Sequence, residues 1–368
     1  VTQSVPRIAV IPERYGDILS PCASIRLHAP FDAMRRAGVA EVRFLIPDEI
    51  EAFTPDVVVW HRVAIRETRA IAELAKLARR IGSRLVYDLD DHLLGMEDHP
   101  EKTVYMPMVA AVRASLAAAD RVWCSTRRLV SLVEGETAAG IEVMPNMLDP
   151  DVWELHEPRT ERPQDPSLRV LYMGTRTHDE DFAFLAKVME RLHRRRPGLA
   201  QLHMIGVRTD DVRSAPWLRV HAIPGYVGAS YPAFVHWLVR QPAFDVGVAP
   251  LVESVFNSGK SPIKVLDYAA LGIPALASRV PAYAGSLRDG IDCLLADNQV
   301  DAWEHALLTL ADDAGLRASL RSGALALVAP DVFETGWRRR LDDINITPRS
   351  TAPRTRLKQE AAPEGRRR

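Results

Sequence analysis

Lys260, Lys264 and Asp267 lie close together in the chain, with Ser261-Pro262 between the two lysines, and such a set can hold a nucleotide. A hydroxyl residue followed by proline reads as a helix start, with Ser261 as N-cap and Pro262 where a missing N–H costs nothing. The free N–H groups and positive macrodipole end of a helix start suit an anion. Lysines beside it add fixed positive charge, and Asp267 places a carboxylate about one turn further on. Cations at a helix start followed by an acid suit a nucleotide diphosphate and its ribose hydroxyls. Ser258 and Gly259 complete the stretch. The plainer alternative is that both lysines are solvated surface charges.

Three other clusters could take part. Gly174-Thr175-Arg176-Thr177-His178 follows an apolar run and precedes a helical pattern starting at Asp179. Glycine there lets backbone approach a ligand, and His178 is a hydrogen-bond donor or a simple cap. Tyr87-Asp88-Leu89-Asp90-Asp91-His92 comes off another apolar run. Asp90 or Asp91 can orient an acceptor hydroxyl or take its proton, hold a divalent cation, or cap the following segment. Ser20 to Arg26 follows the first apolar run, and Ser24 and Arg26 are its polar side chains, in a stretch that reads as a turn and helix cap. His61 and Arg62 end a further run at the same expected rim.

The elements that must position these residues alternate. Residues 7–12, 42–46, 57–61, 84–88, 121–125 and 142–145 are short apolar runs of the kind that form buried parallel strands. Between them, Ile71, Leu74, Ala75, Ala78 and Ile81 share one helical face, as do Tyr105, Met108, Val109, Val112 and Leu116. Prolines among charges at 147–168 read as a linker. The second half repeats the alternation, with strands at 169–173, 202–205, 220–223, 246–250 and 274–278 and a short one at Leu294-Leu295. Helices are expected from Asp179 to about Arg195, near 229–241, and at 261–272, 300–312, 315–328 and 333–344. This grammar predicts two doubly wound α/β domains, with ligands at the carboxyl ends of the strands and a cleft between them.

Composition narrows the class. The 368 residues suit two domains. The formal net charge of -1 gives no reason to expect nucleic acid as a partner. Cys22, Cys124 and Cys293 show no CxxC spacing, which suggests a reduced compartment. No run reaches the ~20 apolar residues of a membrane span, and no signal-peptide core is present. The expected location is cytoplasmic, extending to the inner membrane face. Residues 346–368 carry seven Lys or Arg among three prolines and read as a disordered basic tail; its charges could touch anionic headgroups in peripheral membrane contact.

The order MGT (173–175), a helix, a strand ending in Gly206, VAPL (248–251) and KVLDYAALGIPALAS (264–278) resembles the nucleotide-sugar domain of GT-B-fold glycosyltransferases. It is most similar to the retaining family 4 group of bacterial surface-polysaccharide synthesis. The likeness covers about 170–300, and the first half follows it in architecture more than in motifs. It implies domains at 1–150 (acceptor side) and 165–330 (nucleotide sugar), with a helix at 331–345 packing back on the first. It also implies transfer from a nucleotide diphosphate sugar to a hydroxyl acceptor (glycan, lipid-linked or small-molecule), with retention, no cofactor and no metal.

By the same resemblance Asp267 holds the ribose, Gly174, Thr175 and His178 lie over the donor phosphates with Arg176 as a third cation, and the Ser20–Arg26 loop reaches over the acceptor side, where Ser24 and Arg26 can contact sugar or phosphate. Lys260 and Lys264, singled out by their charge beside the helix start, would stabilise the leaving diphosphate. Family members carry two glutamates eight positions apart; the second falls on Asp267 and the first on Gly259, which has no carboxylate. Two rivals share the fold: a nucleotide-sugar epimerase and a non-catalytic nucleotide-sugar-binding subunit. An oxidoreductase is disfavoured, since no GxGxxG follows the first strand.

Overall fold

The computed structural model describes residues 5–155, 167–174, 179–206 and 214–344, apart from Asp98 and Pro100. The basic tail, most of the proline-rich linker and residues 175–178 lie outside them.

The first half contains β1 (Arg7–Ile11), a small antiparallel hairpin of β2 (Arg14–Tyr15) and β3 (Ile18–Leu19), then β4 (Glu41–Phe44), β5 (Val57–His61), β6 (Arg84–Leu89), β7 (Arg121–Cys124) and β8 (Gly140–Val143). Its sheet is parallel throughout, in the order β4-β1-β5-β6-β7-β8. The second half contains β9 (Leu168–Met173), β10 (Ala200–Ile205), β11 (Leu218–His221), β12 (Val246–Ala249), β13 (Ala275–Ser278) and β14 (Leu294–Ala296). Its order is β11-β10-β9-β12-β13-β14, again all parallel.

Helices cover both faces of each sheet, so central strands such as VVVWH at 57–61 and ALAS at 275–278 are buried along their whole length. The helix Thr68–Ile81 buries Ile71, Leu74, Ala75 and Ala78 and stops where Gly82 turns left-handed at φ 76°. The last helix, Pro330–Ile344, lies on the first domain. Phe333, Trp337 and Ile344 enter that core, and Asp343 accepts from Trp123 Nε1 at 2.7 Å.

Some boundaries differ from the sequence expectation. Strand 142–145 lies at 140–143, before Pro145, which has no N–H for the ladder. Strand 220–223 lies at 218–221, paired residue for residue with β10. The helix expected from 261 begins at Ile263, because Pro262 adopts φ -79° and ψ 39°, outside the helical region. Ser261 is therefore not an N-cap. Its hydroxyl turns toward the first domain and accepts from Asn146 Nδ2 at 2.7 Å.

Candidate functional site

In each sheet the strand order reverses at one point, between β1 and β5 and between β9 and β12. Ligand crevices of open α/β sheets form outside the carboxyl ends of such strands. In the second domain those ends are Met173-Gly174 and Ala249-Pro250. The helix Ile263–Ala270 is fixed to both, since Tyr268 donates its hydroxyl to the Val248 carbonyl at 2.8 Å and accepts from Met173 N at 3.3 Å. Gly247 permits this: a β-carbon there would stand 2.2 Å from the Tyr268 ring. Gly206, at φ 95°, similarly passes close to the Gly174 carbonyl.

That anchored helix carries Lys264 and Asp267, both half-buried. Lys264 Nζ stands 5.4 Å over the Tyr172 ring. Burial pushes its pKa down to about 8, against the pull of Asp181 and Asp267, and Lys260 lowers it further. Burial pushes Asp267 up to about 7, with Lys264 drawing it back. Asp267 Oδ1 has no hydrogen-bond partner among the described residues. A cation and an acid are thus held at the switch point, both titrating near neutrality.

The loop before this helix reaches the first domain. Asp181 accepts from Val252 N at 2.6 Å and fixes the start of the loop. Phe256 packs into the first domain's core and meets the His99 ring at 4.3 Å, while Lys260 Nζ lies 4.7 Å over the Phe256 ring. Ser258 donates to the Val255 carbonyl. The Gly259 carbonyl accepts from Thr126 Oγ1 at 3.2 Å, and a β-carbon at 259 would stand 3.0 Å from His92 Cβ. Burial and Lys260 lower the His99 pKa, while Glu101 and Asp91 draw it back up.

On the first-domain side, the structure brings Arg26, His61, Arg62, Asp88, Asp90 and Asp91 together. Arg26 is 1% exposed and forms a buried ion pair with Asp88, donating also to the Met144 carbonyl. His61 Nε2 stands 3.5 Å from Asp90 Oδ1. Arg62, at φ 46°, lies 3.6 Å from Asp90 through Nε, and through Nη1 it is 3.2 Å from both Asp91 Oδ2 and Cys22 Sγ. Burial would raise the Asp90 pKa, but Arg62 and His61 hold it well below the usual carboxylate range. Ser24 donates to the Ser20 carbonyl, and Ser20 caps the turn through Ala23 N. Cys22, Asp90 and Asp91 offer ligand atoms within 4.8 Å of one another, yet the Arg62 guanidinium already lies within 3.6 Å of all three.

Glu13 was missed in sequence. It is 1% exposed, both its carboxylate oxygens lack hydrogen-bond partners among the described residues, and Arg62 Nε is 3.8 Å away. Its place just past β1, at the carboxyl edge of the sheet, was the available signal. Thr175, Arg176 and His178 lie outside the described residues. A cavity of about 620 Å³ lies between Ser24, His28 and Arg36 of the first domain, Asp149 of the connection, and Ser230 and Tyr231 of the second.

Residues 167–313 match the family model described as Glycosyl transferases group 1. No curated protein matches the chain in sequence. Among solved structures, the chain is similar to HepE of Anabaena in complex with UDP and glucose (TM-score 0.62, 11% identity, 92% of this chain and 100% of that one). It is also similar to sucrose-phosphate synthase of Thermosynechococcus elongatus (0.62, 13%, 92% and 99%) and to a glycosyltransferase of Rickettsia africae (0.58, 9%, 92% and 97%). The fold is accordingly GT-B, two Rossmann-like α/β domains in one chain. Within it, the second domain carries the match to group 1 glycosyl transferases.

Proposed function

We propose that the protein transfers a sugar from a nucleotide diphosphate sugar to a hydroxyl acceptor, with retention of configuration and without a metal. The observation that carries this reading is the placement of Lys264 and Asp267 on one helix, fixed by Tyr268 to both strands at the switch point. Asp267, with an unpartnered carboxylate oxygen, is suited to accept from ribose hydroxyls. Lys264, Lys260, Arg176 and the helix start supply positive charge where the leaving diphosphate gains negative charge, which stabilises the transition state more than the ground state. The acceptor hydroxyl approaches from the first domain, where Asp90 and Asp91 orient it, and the departing phosphate oxygen takes its proton. The family match over 167–313 and the UDP and glucose bound to the Anabaena neighbour support the donor class.

Titration of the protein with UDP, GDP and ADP, followed by incubation of each sugar donor with an acceptor panel, tests the reading. One diphosphate should bind, and NMR of the product should give the anomeric configuration of the donor. Absence of binding to all three overturns it. A nucleotide-sugar-binding subunit without turnover is the second reading, favoured by Gly259, whose backbone faces His92 and Leu129 where an acid was expected. Binding without transfer or hydrolysis across the panel would select it. Isomerised donor in the absence of acceptor would select an epimerase.

A further inference from the structure

Asn146 lies in the segment that leaves β8 for the second domain, and its side chain joins the two halves of the site. Oδ1 is 3.1 Å from Arg26 Nη1, and Nδ2 is 2.7 Å from Ser261 Oγ. Chemistry fixes the orientation of this amide. A guanidinium has donors only, so the atom facing it must be the oxygen, and the NH₂ faces Ser261. The NH₂ can only donate, so Ser261 Oγ is the acceptor in that bond and its own hydrogen must point elsewhere.

Arg26 is itself immobilised. Asp88 grips it through Nε and Nη2, the Met144 carbonyl takes Nη1, and the side chain is sealed from solvent. The chain Asp88–Arg26–Asn146–Ser261 therefore runs from the end of β6 in the first domain to the foot of the Ile263–Ala270 helix in the second. Each link sets the donor and acceptor polarity of the next. Ser261 makes no capping bond to its helix, so its hydroxyl is not committed to local structure.

We propose that Asn146 is a positioning residue: by occupying a lone pair of Ser261 Oγ, it turns the Ser261 hydrogen toward the donor diphosphate. This rests on the reading that the diphosphate binds at that helix start. In the arrangement the structure shows, this bond ties the first-domain side of the site to the helix start. If the domains part, the Ser261 hydroxyl loses its fixed partner and its hydrogen is no longer directed.

A double-mutant cycle on the full chain tests this, using Ser261→Ala, Asn146→Asp and the double variant. Calorimetry would measure affinity for whichever of UDP, GDP and ADP binds the wild type, and for the matching nucleoside. Aspartate at 146 still accepts from Arg26 but cannot donate, so the Ser261 hydroxyl would donate to it and withdraw from the diphosphate. Each single variant should weaken diphosphate binding about tenfold, the worth of a hydrogen bond to a charged oxygen. The double variant should be no weaker than the worse single, and nucleoside affinity should stay unchanged.

Simple repulsion from the new carboxylate would instead multiply with the serine change, and multiplied losses overturn the proposal. So does an Asn146→Asp variant that binds diphosphate normally. Should Asn146→Asp fail to fold, Asn146→Ala replaces it. That variant should give a smaller loss, present with serine at 261 and absent with alanine there; a loss independent of residue 261 overturns the proposal. A wild type that binds none of the three diphosphates overturns the underlying site reading as well.

Discussion

Thr126 Oγ1 donates to the carbonyl of Gly259 at 3.2 Å, tying the first domain to the loop that leads into the lysine-bearing helix. Thr126 also caps its own helix through Leu129 N, so one side chain serves both purposes. Gly259 is pressed against the first domain, with a β-carbon there meeting His92 Cβ at 3.0 Å and Leu129 Cδ1 at 3.2 Å. Gly259→Glu, which restores the acid expected from the family pattern, should therefore destabilise the chain by about 1–3 kcal/mol through overpacking. Urea unfolding would read the loss; unchanged stability would mean the loop moves freely away from His92.

Lys264 should dominate recognition of the diphosphate. Lys264→Ala is expected to weaken nucleoside diphosphate binding by ~10- to 100-fold, since a hydrogen bond to a charged group contributes about 1.5–3 kcal/mol. Nucleoside affinity should barely change. Because the ammonium titrates at about 8 in the free protein, wild-type affinity should fall as pH rises past that value, a step the alanine variant should lack. Calorimetry across pH 6.5 to 9.5 checks both expectations, and equal loss for nucleoside and diphosphate would contradict them.

Asp267 predicts a pH-dependent stability. Its pKa rises on folding from 3.8 to about 7, so the native state binds the proton more tightly than the unfolded chain. The stability this contributes is full below the unfolded value and is lost as pH rises from about 4 through about 7. Asp267→Asn lacks this loss, so the variant should gain on the wild type across that window and hold the gain above it. Melting temperatures of both proteins at pH 4 to 8 would show it; parallel curves would refute the buried-acid account.

Arg26 and Asp88 form a sealed pair, 1% and 0% exposed. Arg26→Met leaves a buried carboxylate uncompensated and should cost about 3–5 kcal/mol, whereas Arg26→Met with Asp88→Leu should cost less. Chemical denaturation of the three proteins separates these cases. A double variant as unstable as the single would place the cost in lost packing.

Arg62 bears on whether a metal can sit among Cys22, Asp90 and Asp91. With its guanidinium 3.2 Å from both Asp91 and Cys22, a divalent ion would have to displace it. Chelator should leave transfer activity intact, and magnesium or manganese should leave the melting temperature unchanged. Activity lost to chelator and restored by the metal would overturn this.

The alternation of buried runs and helical faces was legible in sequence because strand and helix periods differ and both sheets are covered on two sides. The repeat of that grammar on either side of a proline-rich connection made two domains readable as well. Lys264 and Asp267 could be singled out because local spacing on one helix sets their separation. The helix over 24–36, the hairpin at 14–19 and the helix Arg127–Val133 carried no comparably clean apolar period and emerged only in three dimensions. Tertiary structure alone decided that Ser261 answers to Asn146 across the domain boundary, that Arg26 is enclosed with Asp88, and that Glu13 joins the Arg62 cluster. Those contacts span from about 50 to more than 100 residues of chain, and such pairings are set by how the sheets face each other, which no local pattern encodes.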